Sequence, residues 1–242
     1  MVPGWRSKYL KILREFGYDE GQDVRAARVL DAAIGTHTPV RLLADAIEDR
    51  VVFVVGAGPS LHRAMAPLKE FLDIPRIAAD GVLAALTGNG IGADVVVTDL
   101  DGDLEALRVA DRDTIFVVHA HGDNIDRLGF VKNLTRCIGT TQATEQGKIH
   151  NFGGFTDGDR AVFLAEHFGA RRIILLGMDF GDRIGRYSFT RRRDRPVKLR
   201  KMRTAQDLLV WLASQSRAEI CTTSRALPGI RKIGYGEIRS VL

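Results

Sequence analysis

A short apolar run, 95–98, ends at three aspartates spaced two residues apart: Asp99, Asp101 and Asp103. Alternate residues of an extended segment point to the same side, so Asp99 and Asp101 should converge on one point, while Asp103 is expected to cap a following helix. Carboxylates held close together repel one another unless a cation lies between them. Mg²⁺ fits best, because it binds carboxylate oxygens and usually shares its shell with substrate phosphates. The spacing therefore indicates a phosphate-handling enzyme, with a solvated acidic turn as the alternative.

Length and composition favour a globular α/β protein. At 242 residues, the chain is long enough for one large domain, or for an ordinary domain with an extension. No apolar run approaches the roughly 20 residues that cross a bilayer, and residues 1–6 lack the apolar stretch of a signal peptide. Cys137 and Cys221 form no Cys-x-x-Cys pair, which argues against a zinc site or a disulfide framework. We expect a cytoplasmic protein with no membrane partner.

The net charge of +5 comes mainly from one segment. Residues 191–203 contain eight basic residues and one acidic residue, so the rest of the chain is slightly acidic. A compact basic loop suits a nucleotide triphosphate better than a nucleic-acid backbone, so no nucleic-acid partner is expected. Arg192 and Arg193 are candidate phosphate ligands, because a guanidinium group can bind two phosphate oxygens at once. A solvated basic loop is the alternative.

The apolar pattern changes near residue 50. Residues 1–48 have the spacing of amphipathic helices with breaks at 16–21 and near Thr38, and predict an N-terminal helical cap. Residues 49–242 predict a Rossmann-like catalytic domain with a C-terminal extension, since short continuous apolar runs alternate with helical stretches. The predicted strands are 51–55, 76–79, 94–98, 114–118, 136–139, 171–176 and 219–222.

This alternation predicts an α/β fold: a doubly wound, mostly parallel Rossmann-like sheet with an N-terminal helical extension. The intervening helices are predicted at 60–72, 81–88, 104–110, 157–168 and 203–216. In such sheets, ligands bind beyond the carboxyl ends of the strands. The residues of chemical interest follow such ends.

The first predicted strand ends in a glycine-rich turn, Gly56-Ala-Gly-Pro-Ser-Leu61. Gly56 and Gly58 would let the backbone approach a ligand, and Ser60 would cap a helix whose first amides face a phosphate. The turn is not a Walker P-loop, because no Gly-Lys-Ser/Thr follows. Leu61 also stands where a dinucleotide fingerprint has its third glycine. An ordinary strand-to-helix turn is the alternative.

Asp80 and Gly81 follow the second predicted strand. If the first three strands are neighbours, Asp80 lies near Asp99 and Asp101 and could ligate metal or ribose. The alternative for Asp80 is a helix N-cap.

The fourth predicted strand is followed by 119–124, His-Ala-His-Gly-Asp-Asn. Asp123 and Asn124 could hydrogen-bond a heterocycle or ligate through water, with His119 or His121 near the phosphates. A structural role for the two histidines is the alternative, since no third ligand with zinc-like spacing follows.

A second glycine turn precedes the helix predicted at 157–168. Gly153 and Gly154 would let the backbone approach a ligand, and Thr156 and Asp157 could cap the helix. A loop that merely needs unusual dihedral angles is the alternative. Asp179 repeats the pattern of an acid after a predicted strand.

Taken together, these stretches resemble the archaeal 6-hydroxymethyl-7,8-dihydropterin pyrophosphokinases. Six motifs match in the order that the family has them, and they span most of the chain. The matching stretches are 56–61, 79–81, 98–102, 119–124, 153–160 and 176–181.

The resemblance implies Mg²⁺-dependent transfer of diphosphate from ATP to the hydroxymethyl group of a reduced pterin. AMP is released, and the product serves folate or tetrahydromethanopterin biosynthesis. The resemblance also implies that Asp80, Asp99 and Asp101 bind the metal and ATP. If a general base takes part, Asp123 or His121 is the candidate, from proximity to strand ends.

Three alternatives stay open. Thiamine pyrophosphokinases use a similar Gly-Asp-x-Asp element, but Thr98 replaces the glycine here. A nucleotide-sugar glycosyltransferase of the same broad group would also use Asp-x-Asp, and a nucleotide-sensing module would bind ATP without consuming it. Residues 183–195 are expected to form a mobile lid. Assembly of several copies of the chain also stays open.

Overall fold

One parallel sheet forms the centre of the fold. The computed structural model describes residues 2–35, 38–110, 112–188 and 190–242. The strands within these ranges are β1 (Val51–Val55), β2 (Arg76–Ala79), β3 (Val95–Thr98), β4 (Ile115–Ala120), β5 (Cys137–Thr141), β6 (Ile149–His150), β7 (Arg172–Leu176), β8 (Glu219–Thr222) and β9 (Arg231–Lys232).

The strand order reverses once. The sheet runs β6-β5-β4-β3-β2-β1-β7-β8-β9, and neighbouring strands of this order are parallel. From β1 the chain adds strands on one side as far as β6, and then crosses back to place β7 on the other side of β1. Doubly wound sheets bind ligands at such a reversal, beyond the carboxyl ends of the strands. The predicted fold is confirmed.

Helices cover both faces of the sheet, because its strands are apolar on both sides. Helices α2, α4, α5 and α6 pack on the face that contains Phe53, and α1, α3, α7 and α8 pack on the face that contains Val52. The helices in the described ranges are α1 (Trp5–Phe16), α2 (Glu20–Ala33), α3 (Arg41–Ile47), α4 (Leu61–Glu70), α5 (Leu83–Thr87), α6 (Leu104–Arg108), α7 (Asp157–His167) and α8 (Arg195–Ala213).

The three helices that precede β1 belong to the two cores of the sheet. Ala27 and Leu30 of α2 are fully buried on one face, and Trp5 and Tyr9 of α1 are buried on the other. The N-terminal helical extension is thus present. The division of the chain into a cap and a catalytic domain at residue 48 stays a prediction.

The basic segment 191–203 was expected to be a loop, and this was wrong. A short 3₁₀ turn spans Arg192–Asp194, and α8 then begins at Arg195, eight residues before the predicted start. Pro196 marks the beginning of this helix. Proline is tolerated in the first turn because N–H groups there form no hydrogen bond within the helix, so its missing N–H costs none. The predicted lid at 183–195 includes Phe189, which lies outside the described residues.

The sequence missed β6 and β9. Each contains two residues, which is too few to produce an apolar pattern. None of the described helices combines the length and the apolar character that a membrane crossing requires.

Candidate active site

A cavity of about 150 Å³ lies where the strand order reverses. Its walls come from the turns after β1, β2, β3 and β7, from the start of α7 and from one side of α8. Six of the residues proposed from the sequence line it: Gly56, Gly58, Gly81, Asp101, Thr156 and Asp157. Parallel strands end at the same edge of the sheet, which explains why distant motifs meet here.

Three carboxylates converge beside this cavity. One oxygen from each of Asp80, Asp99 and Asp101 lies within 4.8 Å of the other two. Asp80 is buried, Asp99 is half-buried and Asp101 is exposed. The Oδ1 atoms of Asp80 and Asp99 are buried and have no hydrogen-bond partner among the described residues. Hard oxygen donors that converge without partners are suited to a divalent cation, so the residues fit Mg²⁺.

Asp99 and Asp101 meet through a bend and not through strand alternation, which corrects the sequence-based expectation. Strand β3 ends at Thr98, and Leu100 has a φ of 63°, in the left-handed region. This conformation costs a non-glycine residue about 1–2 kcal/mol. Leu100 keeps it because its side chain is 1% exposed, and because Arg127 donates a hydrogen bond to its carbonyl at 3.2 Å. The bend turns both carboxylates toward Asp80.

Asp80 is fixed by its other oxygen. Oδ2 accepts a hydrogen bond from the Thr98 hydroxyl at 2.7 Å and another from the Gly102 N–H at 3.2 Å. Thr98 Oγ1 also accepts the Leu100 N–H at 2.8 Å. Asp80 is the first residue of a short 3₁₀ turn, Asp80–Val82, so Ala79 and not Asp80 occupies the N-cap position that was the alternative for Asp80. The carboxylate therefore holds the Asp99–Asp101 bend and leaves Oδ1 unused.

The turn after β4, residues 121–124, positions Asp99. Asn124 is fully buried and donates its amide hydrogens to the carbonyls of Asp99 at 2.7 Å and His119 at 2.8 Å. His121 Nδ1 accepts the Asp123 N–H at 3.2 Å, so its other nitrogen, Nε2, carries the proton and donates to Asp99 Oδ2 at 3.2 Å. Asn124 was predicted to touch a ligand, but its amide is occupied by the backbone.

The other residues of that motif have different surroundings. The Asp123 side chain is exposed to solvent. His119 is 2% exposed, its Nδ1 lies 3.2 Å from Thr140 Oγ1, and burial lowers its pKa well below the usual value, assisted by the charge of Arg160. His119 is therefore a neutral residue of the interior.

Burial and mutual repulsion control the charges of the cluster. Burial raises the pKa of Asp80 to about 6, and the charges of Asp101 and Asp99 add to the increase. Asp101 is exposed as a residue, but its carboxyl group lies in the cavity wall, and partial loss of water there together with the adjacent Asp99 carboxylate raises its pKa to about 6. Burial alone would raise the pKa of Asp99, but the hydrogen bond from His121 and the charge of Arg160 outweigh it and hold this pKa below its usual value. Bringing a cation to the cluster would relieve this repulsion.

The start of α7 contributes a hydrogen-bonded pair of largely buried side chains, Asp157 and Arg160. Asp157 is the first residue of α7 and accepts a hydrogen bond from Arg160 at 3.2 Å. Burial, followed by the charge of Asp99, raises the pKa of Asp157 well above its usual value. Arg160 is 7% exposed, and its Nε has no partner among the described residues. The sequence motif contained Arg160, but its role depends on burial and was missed.

Gly153 and Gly154 serve the packing of this turn. Their φ angles are 91° and 89°, and added Cβ atoms would lie 2.6 Å from the Phe163 ring and 2.6 Å from the Arg160 backbone, respectively. Thr156, the N-cap residue, donates its hydroxyl to Asp159 at 2.5 Å. Neither glycine is among the residues that line the cavity, so ligand contact by these two glycines stays a prediction.

The glycine turn after β1 packs against the turn after β7. The N–H groups of Gly56 and Gly58 donate to the carbonyls of Leu176 and Gly177 at 2.9 and 2.8 Å. The Ser60 N–H donates to Asp179 Oδ2 at 2.7 Å. These amides already have partners, so their role as phosphate donors stays a prediction. The sequence indicated Asp179 as an acid at a strand end. It did not indicate that the Asp179 carboxylate accepts the backbone N–H at the start of α4.

Arg192 and Arg193 are exposed and do not line the cavity. Lys198, one turn into α8, is a basic residue of the cavity wall, and its charge favours the ionised form of Asp101. The early start of α8 explains why the sequence did not single out Lys198. Phosphate binding by the two arginines stays a prediction.

This fold and site define a class: doubly wound α/β proteins with a carboxylate cluster suited to a divalent cation at the reversal of strand order. Residues 32–185 match the family model described as 6-hydroxymethylpterin diphosphokinase MptE-like. The chain belongs to this family of enzymes, which confirms the resemblance found in its motifs.

Curated archaeal relatives match most of the chain. A protein of Pyrococcus furiosus is 42% identical and covers 89% of this chain and 96% of its own length. One from Methanocaldococcus jannaschii is 40% identical over 89% of this chain and 97% of its own length. One from Methanothermobacter thermautotrophicus is 44% identical over 87% of this chain and 94% of its own length. Each is named 6-hydroxymethyl-7,8-dihydropterin pyrophosphokinase.

A solved structure with a related fold is the MAf glycosyltransferase from Magnetospirillum magneticum AMB-1. It has a TM-score of 0.53 and 15% sequence identity, and the match covers 86% of this chain but only 38% of that one. At this identity the likeness concerns the fold alone.

Proposed function

We propose that this enzyme transfers diphosphate from ATP to the hydroxymethyl group of 6-hydroxymethyl-7,8-dihydropterin and releases AMP, with Mg²⁺ as its metal. The convergence of Asp80, Asp99 and Asp101 beside the cavity carries the proposal. Membership of the diphosphokinase family supports the reaction type, and the names of the relatives support the substrate. The product would serve folate or tetrahydromethanopterin biosynthesis.

Asp80, Asp99 and Asp101 would hold the metal. The buried and unpartnered Oδ1 atoms of Asp80 and Asp99 support this assignment. When bound, Mg²⁺ would neutralise charge on the phosphates of ATP. Asp157 lies close enough for the charge of Asp99 to affect it, but its hydrogen bond with Arg160 favours a supporting role.

In the proposed reaction, the hydroxymethyl oxygen attacks the β-phosphorus of ATP in line with the departing AMP. Such transfers depend on positioning and charge neutralisation more than on covalent catalysis. His121 and Asn124 orient Asp99, and Lys198 supplies a positive charge in the cavity wall. Asp123 remains the candidate to accept the hydroxyl proton, because both ring nitrogens of His121, the other candidate, already have partners. Arg192 and Arg193 remain candidates to bind phosphate.

The experiment combines the purified protein with ATP, Mg²⁺ and the reduced hydroxymethylpterin. We expect AMP and pterin diphosphate in equal amounts, no AMP without the pterin, and no product after removal of divalent metal with EDTA. Thiamine and a nucleotide-sugar donor are tested in parallel. ATP binding without AMP formation would favour a sensor, and turnover of either parallel substrate in place of the pterin would reject the proposed reaction.

A further inference from the structure

Helix α2 reaches the candidate site through one buried carboxylate, that of Asp23. This residue is 3% exposed and accepts three hydrogen bonds. The donors are Tyr9 Oη at 2.7 Å, Gln142 Nε2 at 2.8 Å and the Gly122 backbone N–H at 2.9 Å. Among the described residues, no lysine or arginine forms an ion pair with it. Burying a carboxylate without a counter-charge is costly, so these donors must replace its water shell.

The Gly122 N–H belongs to the turn 121–124, which holds Asp99. In this turn, Asn124 donates to the Asp99 carbonyl at 2.7 Å, and His121 Nε2 lies 3.2 Å from Asp99 Oδ2. An unbroken series of contacts therefore runs from Asp23 through Gly122 to the next residue, His121, whose ring lies against the Asp99 carboxylate. A second branch runs two residues further to Asn124, which holds the Asp99 backbone carbonyl.

Helix α2 also limits where the turn can lie. A Cβ added to Gly122 would lie 2.8 Å from Gln22 Cβ, so glycine is needed for this close approach. The helix blocks movement of the turn in one direction, and the hydrogen bond to Asp23 opposes movement in the other. Charge-assisted hydrogen bonds of this kind are roughly twice as strong as neutral ones.

We propose that Asp23 is a positioning residue for the metal-binding carboxylate Asp99, and that it acts through the turn 121–124. The inference rests on the proposed function in one respect, namely that Asp99 binds a divalent cation. It assigns to the N-terminal helices a direct role in the geometry of the site.

The first test compares Asp23→Asn with Asp31→Asn. Asp31 is a matched control, because it lies on the same helix and its Oδ1 also accepts a backbone N–H, that of Lys148, at 2.8 Å, away from the carboxylate cluster. Mn²⁺ serves as the probe, and its binding is measured by electron paramagnetic resonance without ATP or pterin. We expect Asp23→Asn to weaken Mn²⁺ binding about tenfold and Asp31→Asn to leave it within about twofold. Equal Mn²⁺ affinities of the two variants would overturn the inference.

The second test uses the unaltered protein and is needed if Asp23→Asn does not fold. Linkage is reciprocal, so if the Gly122 hydrogen bond favours metal binding, bound metal must stabilise that hydrogen bond. Amide hydrogen exchange, followed by NMR with and without Mg²⁺, should show exchange of the Gly122 amide slowed about tenfold by the metal and that of Lys148 unchanged. A Gly122 amide that exchanges at the same rate with Mg²⁺ bound would overturn the inference.

Pterin-dependent AMP formation is measured separately. Its absence in a protein that shows both predicted effects overturns the proposed reaction and leaves the role of Asp23 supported. Failure of the unaltered protein to bind Mn²⁺ overturns both.

Discussion

The Thr98 hydroxyl donates a hydrogen bond to Asp80 Oδ2 at 2.7 Å, across 18 residues of sequence, and accepts the Leu100 N–H at 2.8 Å. One side chain therefore joins the end of β2 to the bend that follows β3. A glycine at this position, as in the thiamine pyrophosphokinase element, would provide neither bond. The substitution that distinguishes this chain from that element is thus part of the structure of its carboxylate cluster.

Thr98→Val removes both hydrogen bonds and nearly keeps the shape of the side chain. We expect a loss of about 1–3 kcal/mol in the free energy of unfolding, because buried polar partners lose their hydrogen bonds, and weaker Mg²⁺ binding. Urea denaturation with and without Mg²⁺ measures both. Thr98→Ser, which keeps the hydroxyl, is the control. Wild-type stability and Mg²⁺ affinity in Thr98→Val would contradict this role.

Asp101→Asn separates charge from folding. Turnover should fall by at least about 100-fold, because a carboxylate that we propose to bind the metal becomes a neutral amide. The melting temperature without metal should stay at or above that of the wild type, since repulsion from Asp99 is removed. The control is Asp103→Asn: Asp103 caps α6 through the N–H groups of Glu105 and Ala106, and asparagine caps helices equally well. AMP release near the wild-type rate in Asp101→Asn would reject the metal assignment.

Gly102→Ala tests the position of Asp80. An added Cβ would lie 2.7–2.8 Å from the Asp80 carboxyl group, so the carboxylate must move. We expect kcat/KM to fall about 10- to 100-fold, as displacements of about 1 Å at reacting groups often cause. Gly236→Ala is the control, because a Cβ there meets nothing within 4 Å. Steady-state kinetics give kcat/KM for both variants. Equal kcat/KM values in the two variants would show that the position of the Asp80 carboxylate is not critical for turnover.

Metal binding should depend on pH near 6. In the folded protein without metal, the pKa values of Asp80 and Asp101 are each raised to about 6. The folded chain therefore keeps protons that the unfolded chain loses above about pH 4, so the stabilising effect of these protons is present at low pH and is lost as pH rises through about 6. Since Mg²⁺ competes with the same protons, its affinity should rise over this range.

Melting temperatures with and without Mg²⁺, recorded from about pH 5 to about pH 8, test this dependence. Groups elsewhere in the chain affect the melting temperature equally with and without Mg²⁺. The difference between the two melting temperatures at each pH therefore reports on the carboxylate cluster alone. We expect a small Mg²⁺-induced increase at the acidic end and a larger one at the basic end. An increase that does not change with pH would exclude Asp80 and Asp101 as the groups that bind the ion.

Gly185→Ala tests the contact between the turns after β1 and β7. A Cβ on Gly185 would lie 1.8 Å from the Ala57 carbonyl oxygen, so the segment that closes the cavity must shift. The KM for ATP should rise about tenfold or more, because a wall of the cavity is displaced. Gly181→Ala in the same segment is the control, since a Cβ there meets nothing within 4 Å. An unchanged KM in Gly185→Ala would show that this contact is not needed for nucleotide binding.

The strands were the most predictable part of the fold. Continuous apolar runs gave β1, β2 and β8 to the residue, because strands buried on both faces have a strong composition signal. The start of α8 was missed, since its first two turns are mostly basic and largely exposed, and only its later residues are buried. Local composition could not distinguish this helix start from a loop.

The candidate site was predictable in its location but less so in the roles of its residues. Asp99 and Asp101 were expected to meet, and they do, but through the left-handed Leu100 that no spacing rule indicates. Asn124 was expected to contact a ligand, whereas its amide donates to backbone carbonyls. Ser60 was expected to cap α4, but its side chain forms no cap hydrogen bond, and Asp179 on a distant turn accepts its N–H instead. Such roles depend on which loops become neighbours after folding, and short motifs do not contain that information.

The two outermost strands, β6 and β9, bear on the behaviour of the protein at high concentration. A long exposed edge strand offers a row of unpaired N–H and C=O groups to which another chain can add by sheet extension. Here each edge strand is only two residues long, and the one formed by Arg231 and Lys232 is positively charged. Both features oppose edge-to-edge aggregation. Contacts between copies of the chain are therefore expected to use helix surfaces, and a strand-mediated filament is disfavoured.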